Sequence, residues 1–154
     1  KALTGGTLPL AATAATRQIF DAFWSDDPKK ALMHGPTYTG NALACAAANA
    51  SLDLFKNEPR LRQVGDISAA MERDLAACRD IPIVKGVRVR GAMGVVELNQ
   101  IDDLDSLRAH FIEQGVFIRP IGNIVYLTPA FTISSEELKT LTDAVVKTVR
   151  QLNR

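Results

Sequence analysis

Ile83-Val84-Lys85-Gly86-Val87-Arg88-Val89-Arg90-Gly91-Ala92-Met93-Gly94-Val95-Val96-Glu97-Leu98 is the stretch in which the hydrophobic period of the chain changes. Ile83-Val84, Val87 to Arg90 and Val95 to Leu98 are short runs rich in β-branched residues, separated by Gly86, Gly91 and Gly94. Such runs predict strands, because successive side chains leave a strand on opposite faces. Arg88 and Arg90 alternate with valines, which places them on a solvated face.

The flanks of this stretch read differently. Upstream, Leu61 to Cys78 spaces Val64, Ile67, Met71 and Leu75 by three or four residues, as a helix with one buried face requires. Downstream, Asp103 to Gln114 is helical. Asp102, Asp103 and Asp105 sit at its start, where the helix dipole favours negative charge, and Gly115 stands where a left-handed cap belongs. Val116–Arg119 and Ile124–Leu127 read as two strands around the turn Pro120-Ile121-Gly122-Asn123. Ser134-Ser135-Glu136-Glu137 is a capping box that opens a last helix to about Leu152. Residues 59–154 are therefore expected to form an α+β unit, with a small, mainly antiparallel sheet covered by helices.

Residues 1–58 have another character. Lys1 to Ala12 reads as a loop of Gly, Thr and Ala, and Thr13 to Phe23 as a helix with Ile19, Phe20 and Phe23 on its apolar face. Ser25-Asp26-Asp27-Pro28 breaks the pattern. After the loop His34-Gly35-Pro36-Thr37-Tyr38, Asn41 is an expected N-cap for an Ala-rich helix, Ala42 to Lys56, stopped by Asn57 and Pro59. That helix reads as buried, against something beyond this chain.

Composition narrows the classes of function. Of the 154 residues, 47% are hydrophobic and 23% charged, which is the balance of a soluble globular protein. A net charge of +1, with no basic block, gives no field to attract nucleic acid or an anionic membrane. No apolar run approaches the roughly 20 residues that span a bilayer, and no secretory signal opens the chain. Cys45 and Cys78 have no CxxC or His spacing, so they read as buried small hydrophobes in a reducing, cytoplasmic protein. No residues have the spacing of a metal site.

Three segments carry chemistry. Lys1-Ala2-Leu3-Thr4-Gly5-Gly6 couples an amine to small residues that let backbone approach a bulky aldehyde; the residues alone favour a solvated lysine. His34-Gly35-Pro36-Thr37 ahead of a helix can offer a hydroxyl and N–H groups to an anion; a rigid connecting turn with a structural His34 is the plainer reading. Arg119 interrupts an apolar strand and can pair with a carboxylate in bidentate fashion; a structural salt bridge or an edge position fits equally. Tyr126, across the short turn, reads as a second polar group in that pocket or as a core aromatic.

Taken together, these segments resemble the class III aminotransferases of the fold-type I pyridoxal-phosphate superfamily. The lysine motif is similar to their cofactor-lysine motif, and His34 to Tyr38 with Gly40-Asn41-Ala42-Leu43-Ala44-Cys45-Ala46-Ala47 is similar to their phosphate loop and following helix. The likeness continues through Gly91 to Glu97, Ile118-Arg119-Pro120 and Tyr126-Leu127-Thr128-Pro129, so it covers nearly the whole chain. Ala42 and Ala130 depart from it, since proline is usual at both; proline is only preorganised for a first helical turn.

The resemblance implies an α/β chain that ends the large cofactor-binding domain (1–58) and continues into a small carboxy-terminal α+β domain (59–154). It implies that Lys1 holds pyridoxal 5'-phosphate and moves a proton between substrate and cofactor. Pro36 and Thr37 would bind the cofactor phosphate, reaching the neighbouring subunit of a homodimer. Gly35 would lie near the amino substrate, and Arg119 with Tyr126 would hold a substrate carboxylate. Within the class, the combination is most similar to the branch that takes an amino group from S-adenosylmethionine and gives it to 8-amino-7-oxononanoate, forming 7,8-diaminononanoate for biotin. A class III enzyme acting on ornithine, 4-aminobutyrate or a similar ω-amine is the alternative. The family's carboxylate to the pyridine nitrogen, ring-stacking aromatic and Gly-Ser phosphate loop precede the lysine, so a longer polypeptide is expected.

Overall fold

The computed structural model describes residues 1–153, in two compact units, 1–58 and 59–153. In the first unit, a single 3-10 turn at Ala2–Thr4 follows Lys1 and ends in Gly5, whose φ of 60° is left-handed. Helix α1 is Arg17–Phe23, capped by the Thr16 hydroxyl, which accepts from the Ile19 N–H. It starts later than Thr13, because Thr16 supplies a cap that the alanines before it lack. Helix α2 is Ala42–Asn57. The Asn41 side chain caps it, accepting from the Ala44 N–H at 3.1 Å.

The expectation that α2 is buried does not hold within this chain. Only Ala44 is buried, and Leu43 is 73% exposed. Ala44, Ala48 and Ser51 share a face at helical spacing, and α2 packs against the 3-10 turn after Lys1. The other sides leave Leu52, Leu54 and Phe55 open. Cys45 is exposed as well, which corrects its reading as a buried hydrophobe, whereas Cys78 is buried; both are free thiols.

In the second unit, α3 (Arg60–Leu75) runs into a 3-10 turn at Ala76–Cys78. The sheet has three strands in the order β1 (Val84–Arg90), β2 (Met93–Leu98), β3 (Ile124–Leu127), all antiparallel. Arg90 pairs with Met93, so Gly91 and Ala92 form a two-residue hairpin turn, with Gly91 at a φ of 55°. That turn needs a left-handed residue, which glycine adopts without a Cβ clash. Helix α4 (Leu104–Glu113) is capped by Asp103, which accepts from the Asp105 and Ser106 N–H groups. Gly115 at a φ of 77° ends it, and the Val116 N–H reaches back to the Phe111 carbonyl. Helix α5 (Ser135–Leu152) opens on the predicted capping box.

One face of the sheet makes the core. Val96, Leu98, Val125 and Leu127 are buried against Ile67, Met71 and Leu75 of α3, Leu107 and Phe111 of α4, and Val145 and Val149 of α5. The buried Thr142 and Thr148 are satisfied, Thr142 donating to Asp74 and Thr148 accepting from Gln114. Among the described residues, no buried side-chain nitrogen or oxygen lacks a partner. The opposite face carries Arg88 paired with Glu97 at 2.7 Å, as the alternation predicts.

Residues 116–119 are not a strand, contrary to expectation. They alternate, with Val116 and Ile118 buried and Phe117 and Arg119 exposed, but no strand among the described residues pairs with them. Alternation encodes an extended backbone with one buried side; a ladder also needs a partner edge. No helix among the described residues is long and apolar enough to cross a membrane.

Candidate functional site

The loop that begins at Lys1 is tied to itself. The Lys1 carbonyl accepts from the Thr4 N–H at 3.2 Å and the Gly6 N–H at 2.9 Å. Gly5 and Gly6 both take positive φ, so the chain turns sharply behind the lysine. A Cβ on Gly5 would sit 3.9 Å from the Ser51 hydroxyl, which places the loop on the small-residue face of α2. Lys1 itself is exposed. Thr4 is the one polar residue buried in this unit. Its hydroxyl lies 2.5 Å from the Leu8 carbonyl. A lone threonine among small residues carries no periodic signal, so sequence reading passes over it.

In the same unit, Pro36 and Thr37 lie in a turn closed by the Thr39 N–H on the Pro36 carbonyl at 2.9 Å. Gly40, at a φ of 66°, then delivers the chain to the α2 cap. Gly35, Pro36 and Thr37 are exposed. The Thr37 hydroxyl has no hydrogen-bond partner among the described residues. His34 is exposed, and its N–H closes a tight turn onto the Leu32 carbonyl.

In the second unit, Arg119 and Tyr126 line one cavity of about 230 Å³ with Phe117, Ile118, Leu127 and Thr128. The extended segment puts Phe117 and Arg119 on one side, and β3 puts Tyr126 on the sheet face opposite Val125 and Leu127. Arg119 makes no ion pair among the described residues, so the guanidinium is free for an anion rather than committed to a structural salt bridge. Just behind it, Arg108 donates to the Pro120 carbonyl at 3.4 Å and pairs with Asp105 at 2.7 Å. A larger cavity, about 550 Å³, opens between the start of α4 and the end of α5 and contains none of these residues. No cluster of three or more His, Cys, Asp or Glu able to hold a metal occurs among the described residues.

The first unit offers an exposed primary amine on a glycine-bounded loop and an uncommitted hydroxyl in a proline turn; the second, taken by itself, offers a guanidinium without an ion pair among the described residues, in a pocket with a phenol. A Cβ built on Gly6 or Gly35 would meet nothing within 4 Å, so backbone is open to a flat ligand at both places. The amine and the hydroxyl of the first unit are the kinds of group that a cofactor with an aldehyde and a phosphate requires.

The class of protein follows from comparison with known families. Residues 1–149 match the aminotransferase class-III family, and the chain belongs to it. Among particular relatives, the adenosylmethionine-8-amino-7-oxononanoate aminotransferase of Buchnera aphidicola subsp. Acyrthosiphon pisum is 41% identical over 145 residues, covering 94% of this chain and 34% of the relative. The enzyme of that name from Mycobacterium leprae is 40% identical, over 96% of this chain and 34% of its own length. The crystal structure of the Methanocaldococcus jannaschii enzyme superposes with a TM-score of 0.84 at 33% identity, covering 97% of this chain and 37% of that one. An amine transaminase from an uncultivated Pseudomonas species, solved in its PLP-bound form, gives a TM-score of 0.82 at 27% identity, over 97% of this chain and 36% of its own. The chain thus spans about a third of the length of the curated relatives it matches.

Proposed function

We propose that this chain is the carboxy-terminal part of a pyridoxal-phosphate aminotransferase that moves an amino group from S-adenosylmethionine to 8-amino-7-oxononanoate, giving 7,8-diaminononanoate in biotin synthesis. The observation that carries the reading is the continuity of the match. Relatives at 33–41% identity share that one name over 94–98% of this chain, and the family match, residues 1–149, spans Lys1, the Pro36-Thr37 turn and the Arg119–Tyr126 pocket.

Pyridoxal phosphate supplies an electrophilic aldehyde and a ring that withdraws electrons from the substrate carbon. Lys1 would hold that group through its amine and would move the proton at the substrate carbon. The Thr37 hydroxyl and nearby backbone N–H groups bind the phosphate, and Pro36 holds the turn in shape. Gly35 leaves room beside the amino substrate. Arg119 binds the carboxylate of the keto acid, and the Tyr126 hydroxyl adds a second donor. The protein is a cytoplasmic homodimer in this reading, with the Thr37 turn serving the neighbouring subunit's site.

The test is the absorbance of the full-length protein purified with pyridoxal phosphate. Adenosylmethionine alone bleaches the cofactor's visible band, and 8-amino-7-oxononanoate restores it. A band that survives adenosylmethionine and bleaches with ornithine or another ω-amine overturns the substrate assignment in favour of a different class III activity.

A further inference from the structure

We propose that Thr4 is the positioning residue for Lys1: its buried hydroxyl clasps the backbone of Leu8 and so fixes the loop from which the lysine side chain springs. This rests on the reading of Lys1 as the residue that holds the cofactor.

Thr4 is 3% exposed, in a unit where the only other buried side chain is Ala44. Its hydroxyl has one proton to give. The Leu8 carbonyl lies at 2.5 Å and the Lys1 carbonyl at 3.4 Å, so the proton goes to Leu8. The Leu8 N–H, at 3.3 Å, donates back to the same oxygen. One side chain thereby satisfies both backbone groups of a residue four positions on. The Thr4 main chain extends the clasp, since its N–H donates to the Lys1 carbonyl and its carbonyl accepts from the Thr7 hydroxyl at 2.8 Å.

Such a clasp matters here because of what lies between its ends. Gly5 and Gly6 both occupy positive φ and have the greatest freedom to lose on ordering. A lysine also has four side-chain torsions, so its amine is placed only as well as its Cα is placed. Without the hydroxyl, the two Leu8 groups lose their partner and the loop has no other buried side chain to anchor it.

The experiment compares Thr4→Val, Thr4→Ala and Thr4→Ser in the full-length protein loaded with pyridoxal phosphate. The rate of cofactor loss into cofactor-free buffer and the circular dichroism of the cofactor's visible band are read. Thr4→Val keeps the volume and loses the hydroxyl. It is expected to release cofactor about fivefold to tenfold faster, the worth of one net hydrogen bond, with a weakened dichroic band. Thr4→Ser keeps the hydroxyl and restores both values, which a merely space-filling role would not do. If Thr4→Val does not fold, Thr4→Ala reads the same two quantities. Wild-type values in the hydroxyl-deleted variant, or a Thr4→Ser protein as defective as it, overturn the proposal. Lys1→Ala separates the layers. Cofactor still covalently attached after borohydride reduction of that variant sinks the reading of Lys1. Attachment lost there, with wild-type behaviour in the hydroxyl-deleted variant, sinks only the role of Thr4.

Discussion

Gly94 of β2 lies against Met71 of α3 so closely that a Cβ on it would come within 2.8 Å of the Met71 sulfur and 3.1 Å of Leu75 Cδ1. Both side chains are fully buried, so neither has open space to retreat into. The helix can lie on the sheet at this point because β2 presents no side chain there. Gly94→Ala is therefore expected to destabilise the second unit by about 1–3 kcal/mol, the range for overpacking a closed core. Chemical denaturation of the two proteins reads this, and equal midpoints would show that Met71 moves aside without cost.

Glu97 bridges two cations of β1, Lys85 at 2.8 Å and Arg88 at 2.7 Å. The hydrogen bonds from Lys85 and then Arg88 hold its carboxyl below the usual glutamate value. A depressed folded pKa contributes stability above the unfolded pKa, and that contribution is lost as pH falls through the folded value. Glu97→Gln is thus expected to be the less stable protein at pH 7, with the gap closing in acid and narrowing in high salt. A gap that persists below pH 3 would assign the difference to packing.

Ser134 caps α5 through its hydroxyl, which accepts from the Glu137 N–H at 3.1 Å while Glu137 receives the Ser134 N–H at 3.0 Å. Ser134→Ala is expected to cost about 1 kcal/mol. It should also raise the Glu137 pKa in part, because of the two groups that lower it the Ser134 N–H, the larger cause, remains and only the hydroxyl is removed. Carboxylate titration by NMR reads the second effect independently of the first.

Burial pushes the Cys78 thiol up to about 11. At pH 8 its thiolate fraction is about one part in a thousand, and the thiolate is the reactive form. Cys78 is expected to resist a thiol reagent at pH 8 until denaturant is added. Rapid labelling of Cys78 in native protein would mean that α3 and α5 separate readily.

Arg119→Ala is expected to raise KM for the keto acid with kcat little changed. A charge-assisted contact is worth about 1.5–3 kcal/mol, which is roughly tenfold to hundredfold. Steady-state kinetics at saturating amino donor check it, and an unchanged KM removes the carboxylate role.

The helices of the second unit were legible because their signals are local. Val64, Ile67, Met71 and Leu75 mark a face, and Ser134 with Glu137 marks a start, whatever the rest of the chain does. Strands were legible only as extended runs. Val95 to Glu97 found partners on both sides, whereas residues 116–119 show the same alternation and found none among the described residues. The difference lies in which edges are free, and a run of residues carries no record of that.

The candidate site divides along the same line. Its residue types, an amine, a hydroxyl in a proline turn and an arginine in an apolar run, were readable because such residues break a pattern. That Arg119 shares a cavity with Tyr126 and Phe117, and makes no ion pair among the described residues, depends on a strand folding back on β2. Thr4 has no pattern to break; its weight comes from being closed off from water with both groups of Leu8 on its oxygen. By itself the sequence determined the helices of the second unit, the caps at Asn41 and Ser134 and the chemistry available at each position, since those follow from neighbours a few residues apart. Tertiary structure alone decided which face of α2 is covered, which extended run becomes a strand, and which polar groups are left free to bind. Those are questions of solvent exclusion, and only the packed chain excludes water.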